Sequence, residues 1–191
     1  MSGQTGAQAD AQRLLREAGA MLEGHFQLSS GKHSGVYVEK FRLLERPPQT
    51  DALCAMIAGW AKALRSALVA GPTTGGLLVS YEVARHLAVR SIFAEKDEAG
   101  RRSFKRGFTI APGERVLVVD DVLTTGGSIH DVLDAVRRLG GEPAGVAAII
   151  DRSGGKIDFG VPLFACLTLD LPAYPPGACP LCEQRLPLTI T

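Results

Sequence analysis

The fold of this chain is decided by the segment Val116-Leu-Val-Val-Asp-Asp-Val-Leu-Thr-Thr-Gly-Gly-Ser128. It predicts an apolar β-strand that ends in two adjacent carboxylates, followed by a small turn, rich in hydroxyls and glycine, that opens a helix. Such a turn presents several backbone N–H groups to one anionic group, and the positive end of the helix dipole strengthens the attraction. The segment therefore predicts a strand-turn-helix unit with an anion-binding turn.

The acidic pair Asp120 and Asp121 stands directly before that turn. Carboxylates accept hydrogen bonds from sugar hydroxyls and coordinate hard cations. A ligand with a sugar diol on one side and a phosphate on the other satisfies both halves, which predicts a phosphoribosyl ligand. The alternative is that the two aspartates only cap the turn. We favour the ligand site because the acidic pair, two threonines, two glycines and a serine occur in one uninterrupted turn.

Length and composition are those of an ordinary globular domain. The chain has 191 residues, of which 46% are hydrophobic and 21% charged, enough for one domain with a real core. A formal net charge of +1 does not suggest nucleic-acid binding. The sequence shows no apolar run of bilayer length and no signal-peptide core. We therefore expect no nucleic-acid partner, no membrane association and a cytoplasmic location.

Strand and helix patterns alternate from Asp51 onward, and the predicted strands are almost entirely apolar. This pattern is typical of an α/β fold, a parallel sheet flanked by helices on both faces. Ligands bind such sheets beyond the carboxyl ends of the strands. Four glycine-rich or charged segments are expected at those ends, namely residues 71–76, 95–107, 120–128 and 151–155.

The termini are predicted to add small elements to this single domain of residues 11–191. Residues 1–10 are small and polar and are expected to form a flexible tail. Residues 11–48 should form an N-terminal hood with a helix over 11–18 and a hairpin whose β-rich run, 36–44, is stopped by Pro47 and Pro48. Residues 165–191 are expected to form a C-terminal extension.

The four cysteines fall into two groups. Cys54 and Cys166 sit in apolar segments and are expected in the core. Cys179-Pro-Leu-Cys182 has the spacing of half a zinc site, but no second Cys or His pair lies nearby in sequence. A twofold dimer could bring two such pairs together; we favour reduced thiols in a C-terminal loop. The sequence does not decide whether His25 and His33 contact a ligand or have structural roles.

Two familiar phosphate-binding motifs can be excluded. A P-loop requires a glycine-lysine-hydroxyl arrangement, which does not occur in the chain, and residues 71–76 do not supply the spacing of a dinucleotide fingerprint.

The segments instead resemble a known family. Residues 118–128 resemble the phosphoribosyl pyrophosphate (PRPP) motif of the type I phosphoribosyltransferases. Gly24-His-Phe-Gln-Leu-Ser-Ser-Gly-Lys-His-Ser34 resembles the N-terminal signature of orotate phosphoribosyltransferases, and Ala70-Gly-Pro-Thr-Thr-Gly-Gly76 is similar to their pyrophosphate loop. Phe93-Ala-Glu-Lys96 resembles the start of their mobile catalytic loop, and residues 151–155 and 179–182 resemble one bacterial branch.

This resemblance implies an activity, a cofactor and a partner. The family transfers ribose 5-phosphate from PRPP to N1 of orotate with Mg²⁺, giving orotidine 5′-monophosphate and pyrophosphate in de novo pyrimidine synthesis. Family members are usually homodimers in which the mobile loop reaches the neighbouring active site. The expected small-molecule partners are therefore PRPP and orotate.

The expected site residues follow from the resemblance and from charge complementarity. Catalytic roles are expected for Lys96, Asp120 and Asp121, the two aspartates holding ribose hydroxyls directly or through metal-bound water, with no direct protein ligand to the metal predicted. The expected PRPP-binding residues are Asp120, Asp121, Val122, Leu123, Thr124, Thr125, Gly126, Gly127 and Ser128. The expected pyrophosphate loop is Gly71, Pro72, Thr73, Thr74, Gly75 and Gly76.

The remaining expectations concern orotate and the loop. Thr124 and Arg152 should contact orotate, since a guanidinium can bind a carboxylate bidentately. Residues 95–107 should form a closing lid over the polyanionic leaving group, with Arg101, Arg102 and Lys105 as candidate cations.

The sequence also departs from the family pattern. Ser29 stands where many members carry lysine, Glu95 stands where many carry arginine, and the lid lacks a common histidine; Lys32 is a candidate substitute for the first lysine.

Two rival functions remain. A phosphoribosyltransferase for adenine, hypoxanthine or uracil would keep residues 120–128 but is not expected to carry residues 25–34 or Arg152. A PRPP-sensing regulator would need a DNA-binding element, and the segment before Ala11 is too short for one.

Overall fold

A computed structural model describes residues 2–28 and 30–191 of the chain. The helices are α1 (Ser2–Glu17), α2 (Lys40–Leu44), α3 (Pro47–Ala61), α4 (Gly75–Leu87), α5 (Gly127–Arg138) and α6 (Pro180–Glu183). The strands are β1 (Met21–Gln27), β2 (His33–Val38), β3 (Leu68–Pro72), β4 (Arg90–Lys96), β5 (Arg102–Phe104), β6 (Arg115–Leu123), β7 (Glu142–Asp151), β8 (Leu163–Thr168) and β9 (Thr189–Ile190).

The main sheet has six strands in the order β5-β4-β3-β6-β7-β8. Strands β4, β3, β6, β7 and β8 are parallel, and β5 pairs antiparallel with β4 at one edge. The parallel strands therefore end at one edge of the sheet, where Pro72, Lys96, Leu123 and Asp151 lie. The predicted α/β fold with a mostly parallel sheet is confirmed.

Helices cover both faces of this sheet because successive strand residues point to opposite sides. On one face, Val69, Leu117 and Ala147 pack with apolar residues of α1, α3 and α4. On the other, Ala70 and Val118 pack against α5. Cys54 and Cys166 are fully buried in the first of these cores, as predicted.

The hood is a second, smaller sheet. Strands β1 and β2 form the predicted antiparallel hairpin, and the C-terminal strand β9 pairs parallel with β1. The chain end therefore returns to the hood. Strand β8 belongs to the main sheet and ends at Thr168, so the residues that reach the hood come after Thr168. The boundaries proposed for the hood and the C-terminal extension stay predictions.

Three local predictions need correction. Helix α1 begins at Ser2 rather than near Ala11, since the alanine- and glutamine-rich segment before it continues the helix. The β-rich run ends at Val38, and residues 40–44 are helical because the Glu39 side chain accepts a hydrogen bond from Phe41 N and caps α2. Pro47 opens α3, where its missing N–H needs no partner.

In the described part of the chain, no helix is long and apolar enough to cross a membrane.

Candidate active site

The acidic pair and the turn after β6 form the centre of the site. Asp120 and Asp121 are buried at the end of β6, with 8% and 3% of their surface exposed. Gly126 has φ +81°, a left-handed conformation that glycine adopts readily, and it lets the chain turn into α5. The first backbone N–H groups of α5 lack intrahelical acceptors, so they can bind an anion. Residues 122–129 line a small pocket around this helix start.

The glycine loop after β3 packs directly against the acidic pair. A β-carbon placed on Gly75 would overlap Oδ2 of Asp121, and one on Gly76 would crowd Oδ1 of Asp120. Gly75 also opens α4, so a second helix N-terminus lies beside the two carboxylates. The structure therefore brings together the predicted pyrophosphate loop, which contains Gly71, Pro72, Thr73, Thr74, Gly75 and Gly76, and the predicted ribose site.

Arg102 joins these two loops. It was expected on a closing lid, yet it is 5% exposed on β5. Its Nη1 donates to the carbonyl oxygens of Thr73 and Ala94, at 3.2 and 3.3 Å, and its Nη2 donates to Ser128 Oγ at 3.2 Å. The pairing of β5 with β4 turns the side chain inward, so Arg102 bridges the pyrophosphate loop and the phosphate turn.

The other cations of residues 95–107 lie on the surface of the β4–β5 hairpin. Lys96, Arg101 and Lys105 are exposed, and Lys105 Nζ donates to the carbonyl of Lys96 at 3.2 Å. Glu95, which departs from the family pattern, forms a two-bond ion pair with Arg106 at 2.9 Å. That pair lowers the pKa of Glu95, mainly through the hydrogen bond from Arg106. Ser29, which also departs from the family pattern, lies outside the described residues.

Lys40 is a site residue that the sequence analysis missed. Its ammonium lies 2.9 Å from Oδ2 of Asp121, although this oxygen accepts no hydrogen bond of good geometry within the described ranges. Lys40 begins α2, directly after the hood hairpin. A single lysine after a short strand carries no recognisable motif, so the contact could be seen only in the fold.

A larger cavity of about 580 Å³ lies between the hood and the sheet edge. The sheet side contributes Val122, Thr124, Thr125 and Arg152, and the hood side includes Tyr37 and Lys40. The cavity also reaches the last residue, Thr191. The structure therefore places Thr124 and Arg152, the residues expected to contact the base, on one wall.

The Arg152 loop is held by the buried Asp151 at the end of β7. Asp151 Oδ1 accepts a hydrogen bond from Ser153 N at 2.7 Å, and Oδ2 accepts one from Gly155 N at 3.0 Å. Arg152 N donates to the carbonyl of Leu123 at 2.8 Å, which ties the loop to the end of β6. Arg152 thus starts from a fixed backbone position beside Thr124.

The Asp120 carboxyl has a perturbed pKa. Burial, and next the negative charge of Asp121, raise the pKa of Asp120 to about 8. Its Oδ1 accepts a hydrogen bond from Asp121 N at 2.9 Å, which only partly offsets these effects. The buried position therefore favours the neutral form of the Asp120 carboxyl.

Magnesium fits this donor set. Mg²⁺ prefers hard oxygen ligands and is commonly bound through one or two carboxylates together with substrate phosphates and water. The buried Oδ2 of Asp121, with no well-directed hydrogen bond from the described residues, and the carboxylate of Asp120 beside it are such oxygens.

Comparison with known proteins identifies the family of this chain. The model of the phosphoribosyl transferase domain matches residues 49–159. The orotate phosphoribosyltransferase of Desulforamulus reducens is 49% identical over 174 residues, covering 91% of this chain and 91% of that protein. That of Thermotoga maritima is also 49% identical over 174 residues, covering 91% of this chain and 92% of that protein.

A solved structure agrees with these sequence matches. The crystal structure of orotate phosphoribosyltransferase from Aeropyrum pernix is 31% identical to this chain, with a TM-score of 0.69. The match covers 82% of this chain and 92% of that one.

Proposed function

The chain belongs to the orotate phosphoribosyltransferase family, and we propose that it transfers ribose 5-phosphate from PRPP to N1 of orotate. The products are orotidine 5′-monophosphate and pyrophosphate, a step of pyrimidine biosynthesis. The observation that carries this proposal is the acidic pair between two helix N-termini, beside a cavity that Thr124 and Arg152 line.

PRPP occupies the sheet edge in this proposal. The 5′-phosphate accepts hydrogen bonds from the turn residues Thr124, Thr125, Gly126, Gly127 and Ser128. Asp120 and Asp121 hold the ribose hydroxyls, directly or through metal-bound water. The diphosphate lies at the glycine loop, residues 71–76, where the start of α4 faces it.

Orotate occupies the cavity between hood and sheet. Arg152 binds its carboxylate through two parallel hydrogen bonds, and Thr124 contacts the ring. Because orotate is an anion with an acidic ring N–H, a dedicated strong base is not needed. The cavity then serves to align N1 with the ribose carbon.

The chemical step breaks the C1–O bond to pyrophosphate and forms the C1–N1 bond, with positive charge developing on the ribose ring. The buried carboxylates stabilise that positive charge, and cations stabilise the leaving pyrophosphate. Lys96 is the proposed catalytic cation, with Arg101 and Lys105 as assistants at the same hairpin. Arg102 acts as a positioning residue because it already binds both phosphate loops.

Magnesium, a homodimer and a cytoplasmic location complete the proposal. Mg²⁺ neutralises the diphosphate when bound, and Asp120 and Asp121 are the residues that would hold it. A dimer is supported by exposed apolar side chains on α4, Leu78 at 45% and Tyr81 at 66% exposure. The cytoplasmic location rests on the biosynthetic reaction alone.

An orotate-depletion assay with PRPP and Mg²⁺ tests the function. We expect turnover of orotate, a large loss in Asp121→Asn, and a raised orotate KM in Arg152→Ala. Adenine, hypoxanthine and uracil serve as competing substrates. Turnover of one of these bases without turnover of orotate would move the chain to a different phosphoribosyltransferase activity. A salt-dependent DNA shift without transfer would favour a regulator.

A further inference from the structure

A cluster of metal-ligating side chains lies in the hood, outside the proposed active site. It joins His25 of β1 and His33 of β2 with Cys179 and Cys182 at the start of α6, and all four ligand atoms lie within 4.8 Å of one another. No second Cys or His pair lies near the two cysteines in the sequence. The fold supplies one, because the C-terminal extension packs onto the hairpin.

We propose that these four side chains bind one structural zinc ion. In a tetrahedral Cys₂His₂ site, zinc lies about 2.3 Å from sulfur and about 2.0–2.1 Å from nitrogen. Simple geometry then gives separations of about 3.3 Å between the nitrogens, about 3.6 Å between nitrogen and sulfur, and about 3.8 Å between the sulfurs.

Four of the six separations within the cluster lie within about 0.4 Å of that tetrahedron. His25 Nε2 lies 3.6 Å from Cys179 Sγ and 3.7 Å from Cys182 Sγ. His33 Nδ1 lies 3.3 Å from Cys182 Sγ and 2.9 Å from His25 Nε2. A small outward movement of the two imidazoles would accommodate the ion.

A hydrogen bond outside the cluster fixes the tautomer of His25. Its Nδ1 lies 2.9 Å from the carbonyl oxygen of Leu186, and a carbonyl can only accept. Nδ1 therefore carries the proton, and the lone pair of Nε2 faces the cysteines. This is the usual outer contact of a metal-bound histidine, which donates its second ring N–H to a carbonyl or carboxylate.

Burial indicates a closed, structural site. His25, His33 and Cys179 are 4%, 4% and 1% exposed, and four protein ligands leave no position for substrate. Helix α6 has only four residues, too few to be stable alone. The ion would fasten the C-terminal extension to the hairpin that carries Tyr37, and so hold one wall of the 580 Å³ cavity.

The alternative is a metal-free cluster in which His33 Nδ1–H donates to His25 Nε2 and both thiols stay protonated. Elemental analysis of the tag-free, full-length protein distinguishes the zinc-bound cluster from the metal-free one. We expect about one zinc per chain in the wild type, strong loss in Cys182→Ser and His33→Asn, and full retention in Cys54→Ala, which removes a distant core thiol. A wild-type protein supplied with zinc that carries far less than one equivalent, with Cys182 reacting freely with a thiol reagent, would overturn the proposal.

Cobalt titration of chelator-stripped wild type keeps the test independent of how the variants fold. We expect a visible spectrum of tetrahedral, thiolate-bound cobalt that saturates at one equivalent. A zinc-selective chelator should lower the Tm by several degrees, and added zinc, but not added magnesium, should restore it. A cobalt spectrum without thiolate bands, or a Tm unchanged by the chelator, would contradict the site. None of these readouts depends on phosphoribosyl transfer.

Discussion

The ammonium group of Lys40 lies 2.9 Å from Oδ2 of Asp121, so the first residue of α2 neutralises part of a buried carboxylate at the end of β6. This contact joins the hood to the main sheet at the proposed ribose site. The Asp121 side chain is 4% exposed, whereas that of Lys40 is 37% exposed. The Lys40 ammonium is therefore accessible from solvent, whereas the Asp121 carboxylate is enclosed.

Replacing Lys40 tests this contact. We expect Lys40→Met to lower kcat/KM for PRPP by about ten- to a hundredfold, or about 1.4 to 2.7 kcal/mol of transition-state stabilisation, because Asp121 at the proposed ribose site loses its cationic partner. Lys62→Met, at the end of α3, is the matched control and should keep wild-type kinetics. Equal kcat/KM values for the two variants would remove Lys40 from the site.

The close packing of Gly75 against Asp121 gives a second prediction. Gly75→Ala would push a methyl group into the carboxylate, so we expect a stability loss of about 1–3 kcal/mol and little remaining activity. Gly59→Ala is the control, since its β-carbon would meet open space inside α3. Replacing a helical glycine should raise stability by up to about 1 kcal/mol. Chemical unfolding curves measure the stability of both variants. A stable, active Gly75→Ala would contradict the close packing of Gly75 against Asp121.

The raised pKa of Asp120 predicts how stability depends on pH. Because its folded-state pKa is about 8 and its ordinary value is 3.8, the unfolded chain releases this proton first as pH rises. Between about pH 4 and about pH 8, the free energy of unfolding therefore falls progressively because of Asp120. Asp120→Asn mimics the neutral carboxyl, so its Tm advantage over wild type should grow from pH 4 to about pH 8 and then level off.

Thermal unfolding of the ligand-free protein at several pH values checks this behaviour. Asp134→Asn, at an exposed position of α5, is the control and should show no comparable growth. An Asp120→Asn advantage that shrinks as pH rises would show that Asp120 is ionised in the folded protein.

The sequence predicted the sheet, the phosphate turn and the glycine loop because their signals are local. Apolar strand runs, an acidic pair and glycines at a turn are each readable within about ten residues. Lys40 and the His25–Cys182 cluster were missed because they depend on contacts between distant parts of the chain. The helix at residues 40–44 was mistaken for strand, since one hydrogen bond from Phe41 N to Glu39 outweighed a β-rich composition.

Arg102 was expected on a closing lid but is buried, and its buried position predicts a distinct phenotype. Removing the guanidinium in Arg102→Met leaves the carbonyl oxygen of Thr73 without its Arg102 donor, whereas that of Ala94 still accepts from Thr73 N. This change should cost about 1–3 kcal/mol of stability. Arg102→Lys keeps the charge but cannot reach both loops with one planar group, so we expect intermediate stability and a raised PRPP KM. Arg101→Met, next in sequence but exposed, should change stability by less than about 0.5 kcal/mol. A mobile lid residue would behave differently: Arg102→Met would then unfold like wild type and lose only kcat.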